Sequence, residues 1–129
     1  MLGIGATAAS SSLAAGIPAA TNAEKTFNLD YAPHAGMFAA HAGDNFIDQI
    51  KFMHDQGFRS IEDNGLMKRP VALQEEIGNT LAKLNMTMGV FVVDKGGNGA
   101  NTLAAGKKEY IDIFLNGCRQ AVEVAKRVN

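Results

Sequence analysis

Several polar side chains follow predicted strands, at the positions where parallel α/β proteins gather their chemistry. Glu62 and Asn64 follow the second predicted strand, and Asp94 and Lys95 follow the third. Glu62 could bind a substrate hydroxyl or act as a general base, and His34, after the first strand, could donate to a substrate oxygen. We predict that these five residues bind a small substrate. The alternatives are a structural carboxylate for Glu62 and an ordinary loop histidine for His34.

The other reactive residues fit structural roles better. His41 and His54 do not pair with another histidine four residues away, so no metal site is predicted in this segment. The glycine-rich run at 96–99 matches neither phosphate-binding pattern, and we expect a flexible lid there, with an ordinary loop as the alternative. Cys118 lies on an apolar helix stripe and is predicted to belong to the core.

The pattern after Lys25 alternates short β-type runs with longer helical runs, which predicts three strand–helix units and an α/β fold with parallel strands. Strands are predicted at 26–31, 58–63 and 86–93, and helices at 44–56, from about 70 to Asn85, and from about 107 to 128. Asp44 is the predicted cap of the first helix, and Gly57 its end. The third strand is apolar on both faces, which is typical of the middle of a sheet. In the last helix, the predicted apolar stripe is Ile111, Phe114, Leu115, Cys118, Val122, Ala125 and Val128.

The predicted strands begin at 26, 58 and 86, a spacing of about 30 residues that is typical of a (β/α)8 barrel. Such a barrel needs about 250 residues, so residues 24–129 would cover its first three units, with a fourth strand due next. The catalytic centre is then expected mostly after Asn129. The alternative is a small open three-stranded sheet with two unpaired edges.

Residues 1–23 differ from the rest of the chain because they carry no charged side chain. Their small apolar residues and the Thr21-Asn22-Ala23 ending indicate an export signal that lacks its basic first part. We therefore predict an exported or periplasmic protein, with a cytoplasmic protein as the alternative. Alanine and glycine contribute little to membrane insertion, so a stable membrane anchor is not expected.

The overall composition narrows the classes of partner. The chain has 129 residues and a formal net charge of -1, which disfavours nucleic acid as a partner. Its single cysteine excludes an intrachain disulfide and metal centres that need several thiolates. The 47% hydrophobic content is enough for one packed domain.

Three runs in this order carry a resemblance to a known family. They are Phe27-Asn28-Leu29, then 57–62 with its Gly-Phe-x-x-Ile-Glu pattern, then Met86-Thr87-Met88-Gly89-Val90-Phe91. From about residue 26 to 129 the chain resembles the first third of the hydroxypyruvate isomerase family, within the xylose-isomerase-like sugar isomerase and epimerase barrels. The chain departs from the family at Asp63-Asn64-Gly65, where hydroxypyruvate isomerases tend to carry aromatic or aliphatic residues.

The resemblance implies isomerisation of a small sugar or hydroxy acid by proton transfer through an enediol-like intermediate. It also implies a divalent metal, Mg or Mn, in the complete protein. The paired glutamates and the metal ligands of such barrels come mainly from later strands, so this segment would supply one wall of the pocket and would be inactive by itself. The alternatives are a noncatalytic carbohydrate-binding barrel and a small α/β interaction module, for which self-association into a homo-oligomer would cover the sheet edges.

Overall fold

Four α-helices and two short parallel strands alternate in the computed structural model, which describes residues 27–93 and 102–129. The elements are α1 (Ala39–Ala42), α2 (Phe46–Asp55), β1 (Ser60–Ile61), α3 (Val71–Leu84), β2 (Thr87–Met88) and α4 (Lys108–Val128), with 3-10 turns at Leu66–Lys68 and Leu103–Ala105. The predicted α/β class is confirmed. The predicted export segment, the predicted lid at 96–99, and Asp94 and Lys95 lie outside the described residues.

The strands β1 and β2 pair in parallel, with Ser60 opposite Thr87 and Ile61 opposite Met88. A third chain segment joins β1 from the other side through a parallel bridge between His34 and Glu62. The order across the sheet is therefore the first segment, β1 and β2, and all three run in the same direction. This order is compatible with consecutive strand–helix units.

The predicted position of the first strand is wrong. Residues 27–31 form no strand, and the pairing falls later, where Glu62 N donates to Pro33 O at 3.0 Å and Ala35 N donates to Glu62 O at 2.9 Å. Proline has no amide hydrogen, but its carbonyl can still accept at the edge of a sheet. The ring of Phe27 packs on Phe58 instead, with centroids 4.7 Å apart.

The predicted third strand is also shorter than expected, and it is not in the middle of the described sheet. Met86 and Met88 are buried, but Val90 and Val92 are exposed. The pairing with β1 becomes irregular after β2, where Asp63 N donates to Val90 O at 3.1 Å. Within the described residues no strand covers the far side of β2, so this apolar run lies at an edge.

Local signals set the ends of α2 and α3. Asn45, not the predicted Asp44, caps α2, because its side-chain oxygen accepts from the Ile47 amide at 2.8 Å. Gly57 follows α2 with a φ of 95°, as expected for a glycine that ends a helix. Asn85 ends α3 in the left-handed region, with a φ of 53°, and the predicted close of that helix is confirmed.

The helix α4 is present as predicted, but its buried face differs from the predicted stripe. The buried positions are Gly117, Ala121, Val124 and Val128, and two of these are small residues. Leu115 and Val122 are exposed and Cys118 is only half-buried, so the prediction that Cys118 belongs to the core is wrong. Among the described residues, none of the helices has the length and apolar character needed to cross a membrane.

A charge pair on the polar side of α4 gives a pH-dependent prediction. The bond from Lys126 Nζ to Glu123, at 2.9 Å, and the charge of that ammonium lower the pKa of the Glu123 carboxyl. We expect NMR titration to find this pKa below its ordinary value, and Lys126→Gln to raise it. Because folding lowers the pKa, the small stabilisation is present above the unfolded-state pKa and is lost as the pH falls through the folded-state pKa. An unchanged pKa in the variant would contradict this assignment.

Candidate functional site

The two faces of the sheet have different surroundings. Ile61 and Met88 are fully or almost fully buried in the core that the helices form. Because side chains alternate along a strand, Ser60 and Glu62 point to the opposite face. His34 is the bridge partner of Glu62 and so shares its face. The polar side chains of the sheet therefore lie on the face opposite the helical core, where Ser60 is buried, His34 and Glu62 are half-buried and Thr87 is exposed.

His34 and Glu62 are neighbours at the carboxyl end of this face, and both are half-buried. His34 Nδ1 lies 2.6 Å from the carbonyl oxygen of Ala35. A carbonyl oxygen can only accept, so Nδ1 must carry the hydrogen of this bond. In the neutral ring, Nε2 is then the acceptor.

Next to this pair, the face opposite the core carries small and hydroxylated residues. Ser60 Oγ and Thr87 Oγ1 form a hydrogen bond of 2.8 Å across β1 and β2. A Cβ placed on Gly89 would lie 3.5 Å from the Cβ of Ala32, although these two residues belong to the outer segments of the sheet. The two outer segments therefore approach each other closely on this face, and the sheet is strongly curled.

Asn64, another predicted site residue, is exposed in the turn directly after Glu62. The residue between them, Asp63, is 2% exposed and forms an ion pair with Arg69. Its other carboxylate oxygen accepts from the Gly65 amide at 3.0 Å. The structure therefore brings His34, Glu62 and Asn64 to one end of the sheet, and Asp63 holds the turn that carries two of them.

Two further side chains fix the segment that ends this turn. The Arg69 guanidinium lies over the ring of Phe46, 4.6 Å from its centroid. Gln74, which is buried, donates from Nε2 to Leu66 O at 3.1 Å and to Arg69 O at 2.9 Å, and its Oε1 accepts from Arg127 at 3.1 Å. The turn after β1 is thus tied to α2, α3 and α4. Sequence analysis missed these supporting residues, because only the fold shows which carbonyls Gln74 reaches.

The remaining histidines lie away from the candidate site. The ring of His41 stacks on Phe52, with centroids 5.6 Å apart, and His54 Nδ1 lies 3.3 Å from Asp55 on the exposed side of α2. Over residues 27–93 and 102–129, no three histidine, cysteine, aspartate or glutamate side chains are grouped so that they could hold a metal ion. The resemblance places the ligands of its divalent metal mainly on later strands, so the described residues are not expected to hold that metal by themselves.

A depression lies on the helical surface, between α2 and α3. It has a volume of about 590 Å³, and its lining includes Lys51, Glu76 and Lys83. Charges of both signs line this open groove, so they compensate one another instead of favouring one ligand charge. The groove is on the helical surface, whereas the concave side of the sheet brings predicted site residues together. We therefore assign the candidate site to the sheet.

Comparison with known proteins finds no family model, no curated protein and no solved structure that matches the chain. The site consists of the His34 imidazole and the Glu62 carboxylate on neighbouring parallel segments. The exposed side-chain amide of Asn64 lies in the turn that follows Glu62.

Proposed function

We propose that this chain forms one wall of the substrate pocket of a sugar isomerase or epimerase with a (β/α)8 barrel, similar to the hydroxypyruvate isomerases. One observation carries the proposal: His34 and Glu62, selected separately from the sequence, are bridge partners at the carboxyl end of a parallel sheet. Active sites of such barrels lie at this end of the strands. The order of the three parallel segments and the curl of the sheet support the barrel.

The position of Asn129 also supports this fold. Its side-chain oxygen accepts from the Met88 amide at 3.2 Å, on the side of β2 that faces away from β1. A segment continuing from Asn129 would start at the amino end of β2 and could run parallel to it. This is the path that a fourth strand takes in a (β/α)8 barrel.

In the proposed pocket, the described residues bind and orient the substrate. Glu62 accepts a hydrogen bond from a substrate hydroxyl, and His34 Nε2 accepts from a neighbouring hydroxyl while Nδ1 stays bonded to Ala35. Asn64 can donate to a carbonyl oxygen from the rim. These contacts suit a small compound with adjacent hydroxyl and carbonyl groups. The carboxylates that move the proton are expected from later strands, as the resemblance implies.

The first test is to read the coding DNA beyond codon 129 and to express the encoded protein. We expect further strand–helix units with acidic residues at the strand ends. In deuterium oxide with hydroxypyruvate or a short ketose, proton NMR should show exchange at the carbon next to the carbonyl group. Chelation should abolish this exchange, and manganese or magnesium should restore it. Binding without exchange would favour the noncatalytic carbohydrate-binding barrel.

Variants of the two bridge partners then test the assigned site. We expect Glu62→Gln and His34→Gln each to slow the exchange at least tenfold, because each removes one contact that orients the substrate. Glu75→Gln, on the exposed side of α3, is the matched control and should leave the rate unchanged. If the first two variants behave like the control, this wall of the sheet does not contact the substrate.

A further inference from the structure

Gln49 is a polar side chain of α2 that is almost completely buried, at 3% exposure. Its Oε1 accepts from the Gly36 amide at 3.0 Å, and its Nε2 donates to the Gly43 carbonyl oxygen at 2.8 Å. An amide hydrogen can only donate and a carbonyl oxygen can only accept, so these two partners fix the orientation of the Gln49 amide. Gln49 therefore binds both ends of the loop 36–43, which leads from the first segment of the sheet towards α2.

This loop begins with a tight turn at residues 34–37. Met37 N donates to His34 O at 3.1 Å, which closes the turn. Gly36, in the third position, has a φ of 88°, whereas Ala35, in the second position, has a negative φ. This combination defines a type II turn. Turns of types I and II differ in the orientation of their central peptide group, and glycine in the third position permits both. Contacts outside the turn must therefore select the orientation.

Side chains bind both ends of that central peptide group, which joins Ala35 to Gly36. The Ala35 carbonyl oxygen accepts from His34 Nδ1 at 2.6 Å, and the Gly36 amide donates to Gln49 Oε1. Donation from the amide polarises the peptide group, which makes its carbonyl oxygen a better acceptor. If the peptide group turned over to the type I orientation, Gln49 would lose its donor and His34 its acceptor. Gln49 and His34 are thus coupled through a single peptide group.

We propose that Gln49 is a positioning residue of the candidate site, which fixes the orientation and the tautomer of the His34 ring through this peptide group. With Nδ1–H bound to Ala35, the neutral ring presents Nε2 as an acceptor, which suits a hydroxyl group. The other tautomer would present an Nε2–H donor, which suits a carbonyl oxygen. Gln49 therefore makes a hydroxyl group the partner of His34. This choice of partner rests on the proposed function, whereas the tautomer follows from the contacts alone.

A second buried glutamine provides a matched control. Gln74 of α3 is 2% exposed and donates to the carbonyl oxygens of Leu66 and Arg69, in the segment after β1. Like Gln49, it ties the backbone after a sheet segment to the helix that follows. Its hydrogen bonds do not include the peptide group beside His34. Substitution of Gln74 therefore removes comparable buried hydrogen bonds without a direct effect on the His34 tautomer.

Nitrogen-15 NMR of the histidine rings tests the proposal, because protonated and unprotonated ring nitrogens differ in chemical shift. At a pH where the His34 ring is neutral, the Nδ1–H form should exceed the Nε2–H form by about tenfold in the unaltered chain. Gln49→Met should lower this ratio at least about fivefold, because the central peptide group is then free to turn over. Gln74→Met should leave the ratio unchanged. An unaltered chain in the Nε2–H form, or an unchanged ratio in Gln49→Met, would overturn the proposal.

Gln49→Glu separates the bond to Gly36 from the bond to Gly43. The variant keeps an oxygen acceptor for the Gly36 amide but loses the donor to Gly43, and we expect it to keep the Nδ1–H form. Loss of that form would mean that the loop as a whole orients the ring, which contradicts the proposal. If the Gln49 variants do not fold, the unaltered chain decides: its His34 ring must be in the Nδ1–H form and its Gly36 amide must exchange slowly. These measurements need no substrate. A protein without isomerase activity would therefore overturn the proposed function and leave the role of Gln49 standing.

Discussion

Replacing Gly78 with alanine is expected to destabilise the fold by about 3 kcal/mol, because two helices touch at this glycine. A Cβ on Gly78 would lie 1.9 Å from the carbonyl oxygen of Arg127 and 3.0 Å from the Cα of Val128. Both are backbone atoms of α4, so no change of rotamer can relieve the overlap. Alanine favours a helix by about 1 kcal/mol over glycine, but moving α4 away from α3 costs more than this gain.

Urea unfolding followed by circular dichroism measures this effect. Asn79→Ala is the matched control, since Asn79 is the next residue of α3 and is exposed. It should change the free energy of unfolding by less than about 0.5 kcal/mol. A Gly78→Ala protein as stable as the control would show that α3 and α4 do not cross as closely as described. Loss of cooperativity in the variant would indicate that α4 has separated from the core.

The helices could be predicted from the sequence because their signals are local. Apolar residues at helical spacing identify the buried stripe of α2, and Phe46, Ile47, Ile50 and Met53 are all buried. Pro70 and Asn85 mark the ends of α3, since proline suits a helix start and asparagine tolerates the left-handed region. Each signal depends on residues within a few positions of one another.

The strands could be predicted less well because pairing joins residues far apart in the sequence. The run from Thr26 to Tyr31 has a β-type composition, yet the bridge to Glu62 forms at His34. Composition favours apolar residues as strand positions, but it does not reveal which backbone groups meet. For the same reason, the sequence indicated that residues 86–93 are apolar without showing that, among the described residues, no strand pairs with their outer side.

The face of α4 illustrates a second limit of hydrophobic patterns. The pattern favours large side chains such as Phe114 and Leu115, but the buried residues in this part of α4 are Gly117 and Ala121. Small residues are required where two helix backbones approach closely, as Gly78 of α3 approaches Arg127 and Val128 of α4. A pattern that ranks residues by hydrophobicity gives little weight to these positions.

The candidate site could also be predicted only as far as local signals reach. His34, Glu62 and Asn64 could be selected because each follows a predicted strand, but their adjacency depends on the register of the sheet. In the sequence, Asp63 stands out only as a departure from a family pattern. Its role in holding the turn follows from its burial, which the sequence does not show. The signal for it is weak: an aspartate before an Asn-Gly turn, with an arginine six residues later.

The second large effect is expected at this buried carboxylate. Asp63→Ala should destabilise the protein by about 3 kcal/mol, because it leaves Arg69 without its partner and the Gly65 amide without its acceptor. Arg69 is partly exposed, and water can therefore hydrate the released guanidinium. This keeps the cost at the lower end of the range for a broken buried pair. Asp48→Ala removes an exposed pair with Lys51 and should cost less than about 1 kcal/mol.

A double-mutant cycle separates the ion pair from the other contacts of Asp63. If the pair is the main contribution, adding Arg69→Ala to Asp63→Ala should cost less than Arg69→Ala does alone. Additive effects would mean that the bond to the Gly65 amide, and not Arg69, accounts for the loss. Because Asp63 lies between Glu62 and Asn64, Asp63→Ala should also shift the amide NMR signals of both neighbours more than Asp48→Ala does. Unchanged signals would show that the turn holds its shape without Asp63, and that the two site residues are positioned by the sheet alone.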